Sequence, residues 1–234
     1  MTNLPEATWT EVDGAPRRVV IVPLGSLEQH GPHLPLDTDT RIAVAVAHGA
    51  AAGRDGVAVA PAVAFGASGE HAAFPGTLSI GTRVLCEVLV ELGRDATRDW
   101  NSVLVVNAHG GNADAVASAL ARLRSEGRLC DAFHVAPASG DAHAGRTETA
   151  LLLHLEPRAV RLDRAEAGEP RPVGELMDRL RDDGVRSVSP NGVLGDPRGA
   201  TGAEGRRLLD ELIEGCAAAL DALLAATLRV AVNA

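Results

Sequence analysis

Long apolar runs are missing from this 234-residue chain: nothing approaches the roughly 18 to 20 consecutive apolar residues of a membrane span, so no transmembrane helix is expected. Cysteine is scarce. Cys86, Cys130 and Cys216 lie far apart with no C-x-x-C spacing, which excludes a thiolate metal knuckle and reads as free thiols in a reducing cytosol. Positive charge is in deficit, 22 Lys plus Arg against 31 Asp plus Glu for a formal net charge of -9, which argues against nucleic acid or an anionic membrane surface as partner. Residues 1–14 carry acids and Pro5 where a signal peptide has a basic start and an apolar centre, so no signal peptide is expected and the cytoplasm is the expected location.

Ligand-type side chains, by contrast, crowd into one stretch. Leu24-Gly25-Ser26-Leu27-Glu28-Gln29-His30-Gly31-Pro32-His33-Leu34-Pro35-Leu36-Asp37-Thr38-Asp39 follows the apolar run Val19-Val20-Ile21-Val22 and reads as a loop leaving a buried strand. One Glu, two His and two Asp on backbone stiffened by Gly and Pro point to metal. The remaining pattern alternates. Helices are expected over 40–52, 82–100, 113–124 and 148–155, and strands over 18–24, 57–60, 103–106 and 132–136. An irregular loop covers 65–78. Residues 158–197, rich in Pro, Gly, Arg and Asp with one helix at 173–182, read as surface elaboration. Thr201-Gly202-Ala203-Glu204 has the form of a capping box opening a C-terminal helix that runs to about Val230. The expectation is one α/β domain over 1–234 with a mostly parallel sheet covered on both faces.

In such sheets ligands bind beyond the carboxyl ends of the strands. Loops leaving Leu24, Ala60, Val106 and Ala136 converge there, and each carries polar chemistry. Glu28 and His30, two apart in extended backbone, aim at neighbouring points; Asp39 opens a helix; His109 leaves the clearest strand; Glu148 sits in the first turn of a short helix. This mixed carboxylate and imidazole set suits Zn, Fe(II) or Mn. It exceeds what one tetrahedral zinc with an open position needs, so two divalent metal ions sharing Asp39, with a water between them as nucleophile, fit better. Gly110, Gly111 and Asn112 offer backbone N–H groups to a substrate, His143 offers proton transfer to a leaving amine, and Ser68, Glu70 and His71 line the substrate side. Bland readings stand beside these. A lone Glu-x-His is common, a Gly-Gly after a strand is normally a turn, His33 props the loop, Asp37 supports the ligands, and His48, His134 and His154 are structural. The joint occurrence carries the metal reading.

Several motifs in order resemble the creatininase superfamily. These are Gly25-Ser26-Leu27-Glu28-Gln29-His30-Gly31-Pro32-His33-Leu34-Pro35, then Asp39, Phe74-Pro75-Gly76-Thr77, Asn107-Ala108-His109-Gly110-Gly111-Asn112, and His143-Ala144-Gly145-x-x-Glu148-Thr149. The resemblance implies a three-layer α/β/α sandwich, a two-metal amidohydrolase site with ligands at Glu28, His30, Asp39 and His109, and a homo-oligomer, a hexamer or larger. Creatinine-hydrolysing members carry Glu where this chain has Gly111, which leaves Glu148 as candidate for the missing ligand, and a Trp before the His-Ala-Gly motif where this chain reads Ser139-Gly140-Asp141-Ala142. A more open site is implied. Asp37-Thr38-Asp39-Thr40-Arg41, Ser68-Gly69-Glu70-His71 and Ser189-Pro190-Asn191-Gly192-Val193-Leu194-Gly195-Asp196-Pro197 are similar to the mycofactocin peptidase subgroup, which implies hydrolysis of a modified precursor peptide, releasing its Val-Tyr-derived C-terminal unit. Arg41 or Arg146 would then meet a terminal carboxylate. The alternatives are an amidohydrolase acting on a formamide or cyclic amide of a cofactor precursor, and a non-catalytic scaffold that keeps a metal for structure.

Overall fold

The computed structural model describes residues 2–137 and 141–232. Its sheet has five parallel strands in the order β1-β3-β2-β4-β5. These are β1 (Thr2–Asn3), β2 (Val19–Leu24), β3 (Val57–Val59), β4 (Ser102–Asn107) and β5 (Cys130–His134). Every residue of β2 and β4 is buried, because the sheet is covered on both faces and neither strand has a solvent side. Side chains still sort by period two. Val19, Ile21, Leu104 and Val106 enter the layer formed by α2 (Thr38–Ala51), α5 (Arg146–Leu155) and α8 (Gly202–Val232). Val20, Val22, Leu24, Val103 and Val105 enter the opposite layer of α3 (Gly81–Asp99) and α4 (Ala113–Ser125). The result is the expected α/β/α sandwich.

The chain leaves β2 for β3 on one side and then crosses back to place β4 on the other. The carboxyl ends of β2 and β4, where Leu24 pairs with Asn107, therefore flank a crevice at the switch point.

Two expectations need correction, and the N-terminal segment adds elements of its own. The last strand is Cys130–His134, two residues earlier than 132–136: it pairs with β4 from Val103 onward, and Val135 only extends the ladder with one N–H to Asn107 O. The N-terminal segment adds an edge strand and α1 (Trp9–Asp13), the latter closed by a capping box between Thr8 and Glu11. Residues 158–197 are not mere surface elaboration. α6 (Val173–Asp183) and α7 (Val185–Val188) form a hairpin whose Leu176, Leu180, Val185 and Val188 pack with Leu194 in a third apolar cluster. Arg186 donates to Ala73 O and lies over the Phe74 ring at 5.4 Å, and this clamps the hairpin to the 65–78 loop. Thr201 Oγ1 accepts from Glu204 N at the start of α8, while the Glu204 carboxylate pairs with Arg146. Among the described residues no helix is long and apolar enough to cross a membrane.

Candidate metal centre

The loop after β2 is locked before any ligand is placed. Gly25 lies so close to α2 that a Cβ would meet the Thr40 main chain at 2.6 Å. Asn112 donates to Gly25 O and Asn107 Oδ1 and accepts from Ala67 N, tying the loops after β2, β3 and β4 together. Ser68 is likewise buried, accepting from Ser26 Oγ and donating its N–H to Ser79 Oγ. Ser68 and Asn112, expected on the substrate side, thus face protein. Glu70, His71, Gly110 and Gly111 line the cavity. Ser139 and Gly140 lie outside the described residues.

Seven side chains from four loops meet in the crevice. Glu28 Oε1 is 3.1 Å from His109 Nδ1, 3.3 Å from His71 Nε2 and 3.5 Å from His143 Nδ1. Asp39 faces two ways, with Oδ1 3.0 Å from His30 Nε2 and Oδ2 3.5 Å from His109 Nδ1. Glu148 Oε2 is 3.7 Å from His30 Nε2 and accepts from Ala144 N at 2.7 Å. Ala144 has φ 55, the only positive value at a non-glycine residue among those described, so the His-Ala-Gly turn holds a left-handed alanine that a free chain would avoid.

The rings carry the tautomers of metal ligands. His30 Nδ1 lies 3.1 Å from Glu28 O, His109 Nε2 3.2 Å from Ala67 O, and His143 Nε2 2.7 Å from Gln29 O. A carbonyl only accepts, so each of these nitrogens carries the proton and the other nitrogen turns a lone pair toward the carboxylates. Both oxygens of Glu28 and Oδ2 of Asp39 are buried with no hydrogen-bond donor. Orphaned anionic oxygens facing imidazole lone pairs call for a cation. Groups with metal-ligand spacing are Glu28 with Asp39 and His109, His30 with His143 and Glu148, and Glu28 with His71 and His143.

Before any cation binds, the same carboxylates favour a second proton on His30 and His109, in the place a cation would take. Burial by itself would raise Glu28, but the surrounding His109, His71 and His143 hold it well below the carboxylate range. Burial lowers His30, yet Asp39 and Glu148 outweigh it and carry the ring up to about 10. His109 is raised in the same way by Glu28 against burial. Burial raises Glu148 to about 7, moderated by His30. His143 falls well below its ordinary value through burial and the neighbouring His30 and His71.

Other expected residues land elsewhere. His33 is buried with Nε2 2.9 Å from Thr149 Oγ1, which itself donates to Gly145 O, so His33 is the prop of the loop. Asp37 faces Arg41 and not the ligands. Arg41 also pairs with Glu156, and Arg146 with Glu204, so both guanidinium groups are already engaged. Two contributors had no sequence signal. Gln29 is buried among the imidazoles. Arg181, on the α6–α7 hairpin, lines the cavity, and it shares that wall with Val173, Met177, Leu180, Val185 and Leu194. Of its neighbours, Arg171 pairs with Glu169, Arg179 donates to Ser187 O and Arg186 to Ala73 O, whereas Arg181 has no ion-pair partner among the described residues.

The donor set, its tautomers and its orphaned carboxylates on an α/β/α scaffold define a metal-dependent hydrolase. The family model for creatininase, described as creatinine amidohydrolase, matches residues 5–220, and the chain belongs to that family. The mycofactocin precursor peptide peptidase of Mycolicibacterium smegmatis is 54% identical over 205 residues, covering 85% of this chain and 83% of that protein. The protein of the same name from Mycobacterium ulcerans is 50% identical over 205 residues, covering 84% and 82%. A solved structure described as manganese creatininase matches with TM-score 0.77 at 26% identity, covering 94% of this chain and 97% of that one.

Proposed function

We propose that the chain, acting as one domain, releases the modified Val-Tyr-derived C-terminal dipeptide from a ribosomal precursor peptide in mycofactocin biosynthesis. Supporting this is a cavity of about 890 Å³ open to the metal centre, with an apolar wall and one unpaired guanidinium. Pockets for compact ligands begin near 300 Å³, so this volume suits a peptide end with a bulky side chain better than a small cyclic amide. The relatives that are 50–54% identical bear the name of that peptidase. We place the reaction in the cytoplasm and the protein in a homo-oligomer of hexamer size or larger.

Glu28, Asp39 and His109 would hold one cation and His30, Asp39 and Glu148 a second, since the two oxygens of Asp39 face His30 and His109 separately. The donors suit Fe(II), Zn or Mn. When bound, such ions polarise a carbonyl and furnish a water nucleophile at neutral pH. The chain's own groups supply the rest. Val173, Met177, Leu180 and Val185 hold the apolar side chain and exclude water. Arg181 receives the terminal carboxylate. Gly110 and Gly111, bare of side chains at the cavity wall, let the backbone approach the scissile carbonyl. His143, kept neutral by burial, takes a proton at Nδ1 and returns it to the leaving amine. Metal-loaded protein incubated with modified precursor should release the C-terminal fragment, read by mass spectrometry. Release of no fragment sinks the substrate assignment and leaves the metal centre standing.

A further inference from the structure

The geometry points to Gln29 as a positioning residue: its side-chain amide sets which nitrogen of His71 carries the proton and so keeps that ring out of the metal set, with its Nε2–H and not a lone pair facing Glu28. The amide's own orientation is fixed first. Gly31 N donates to Gln29 Oε1 at 2.8 Å, and Gln29 Nε2 lies 3.0 Å from Gly192 O, which only accepts. Oxygen and nitrogen of the amide are therefore assigned by their partners.

Nε2 has two protons and three neighbours: Gly192 O, His71 Nδ1 at 2.9 Å and His143 Nε2 at 2.9 Å. The third is not an acceptor. His143 Nε2 sits 2.7 Å from the Gln29 main-chain carbonyl, where two facing lone pairs would repel, so it carries the proton itself. The second amide proton then goes to His71 Nδ1. A neutral His71 must hold its proton on Nε2, which is 3.3 Å from Glu28 Oε1. His30 and His109 are arranged in the opposite sense, each giving one N–H to a main-chain carbonyl and leaving the other nitrogen free toward the carboxylates. The four rings around Glu28 and Asp39 are thus of two kinds. His30, His109 and His143 present lone pairs, while His71 turns its Nε2–H toward Glu28 Oε1 at 3.3 Å.

Gly192 adds a second layer. A Cβ there would collide with the Gln29 amide, and φ is +81, so glycine is required on both counts. Through Gly192 O the 189–195 loop holds the same amide that fixes His71. Ser189 supports that loop, its hydroxyl lying 2.8 Å from Asn191 Oδ1 and 2.7 Å from Val193 O and giving its one proton to either.

The test uses zinc-loaded protein labelled with 15N-histidine, since zinc is diamagnetic. Nitrogen shifts at about pH 7.5, where an unperturbed imidazole is mainly neutral, distinguish the tautomers; the His71 signal is assigned by its loss in His71→Gln. Wild type should show His71 and His143 protonated on Nε2. Gln29→Glu, which offers only acceptors, should move the His71 proton to Nδ1 and leave His143 unchanged. Gln29→Met, which keeps the volume without a donor, should populate both His71 tautomers. With peptide as substrate, kcat should fall about 10- to 100-fold in both variants with KM within about threefold, the scale of lost supporting contacts around a metal site. His71 protonated on Nδ1 in wild type, or an unchanged His71 tautomer in either folded variant, overturns the proposal. The shift measurement needs no substrate, so it stands apart from the peptide reading; absent turnover by wild type would overturn that reading alone.

Discussion

Replacing Gly111 by alanine tests whether the centre is built around a missing side chain. A Cβ at this position would lie 2.5 Å from Ala67 O, from Glu70 Oε1 and from His109 Nε2, closer than real Cβ contacts allow. The three neighbours differ in how readily they give. Glu70 is the end of a flexible, partly exposed side chain and can swing away. Ala67 cannot move cheaply, because its N–H is held by Asn112 and its carbonyl by His109. His109 is fixed between Ala67 O and Glu28 Oε1. The displacement therefore falls on His109 and on its 3.2 Å bond to Ala67 O.

Overpacking of this kind costs about 1–3 kcal/mol. Gly→Ala returns roughly 0.5–1 kcal/mol by restricting the unfolded chain. The net loss of about 1–2 kcal/mol corresponds to a melting temperature lower by about 2–8 °C for a chain of this size. Loss of the carbonyl that orients His109 should weaken zinc binding about 10- to 100-fold. Differential scanning fluorimetry in chelator gives the first quantity, and competition against a fluorescent zinc chelator gives the second. A variant with melting temperature within about 1 °C of wild type and unchanged zinc affinity would refute the argument, since no accommodating neighbour other than Glu70 has been identified. Gly111→Glu should be worse than Gly111→Ala, because the extra carboxylate would meet Glu70.

Glu28→Ala removes the carboxylate that three imidazoles surround; the protein should remain folded in chelator yet lose the zinc-induced rise in melting temperature, whereas wild type gains about 2.7 kcal/mol at a zinc concentration of about 100 Kd. A variant that unfolds in chelator while wild type does not would favour a structural role for the site. Arg181→Gln should raise KM for the modified peptide about tenfold, an exposed charge-assisted contact of about 1.4 kcal/mol, and leave a C-terminally amidated peptide unaffected; equal effects on both peptides would remove Arg181 from carboxylate recognition. Burial pushes the Cys216 thiol up to about 12. Its folded form therefore keeps a proton that the unfolded chain loses, and stability falls as pH rises from about 9 toward 12, by about 2 kcal/mol between pH 9 and 11. Urea melts of wild type against Cys216→Ala should show that alkaline loss in wild type only, and parallel curves would exclude it.

Much of this architecture was legible because burial writes itself into sequence. Val19 to Leu24 and Val103 to Val106 have no polar face, which only a doubly covered parallel strand tolerates, and their neighbouring loops carry the carboxylates and imidazoles. Edge elements were harder. β1 has two residues and no pattern, and β5 mixes Asp131 and His134 with apolar residues because one edge is open. The 158–197 segment misled through composition. Its charge reflects the outer face of a hairpin, while the inner face uses only Leu176 and Leu180 of one short helix and Val185 and Val188 of the next, too few apolar residues to announce a packed cluster. Gln29 was visible as a residue but not as a function. Its partners are His71, His143 and Gly192, up to 163 positions away, and no local periodicity encodes such contacts.

On the proposed function, chemistry and selectivity reside in different parts of the chain. The loops bearing Glu28, His30, Asp39 and His109 are anchored to β2 and β4, where any shift would disturb the buried strands, so that part of the centre has little freedom to change. The α6–α7 hairpin belongs to a separate apolar cluster and reaches the centre mainly through the 65–78 loop and the Gly192 carbonyl. Substitutions on its cavity face, at Val173, Met177 or Arg181, would on that proposal alter which amide is accepted without moving a metal donor. Gly192 is the exception. It lies in the selectivity-bearing half yet holds the amide that fixes His71, so change there reaches the chemistry directly.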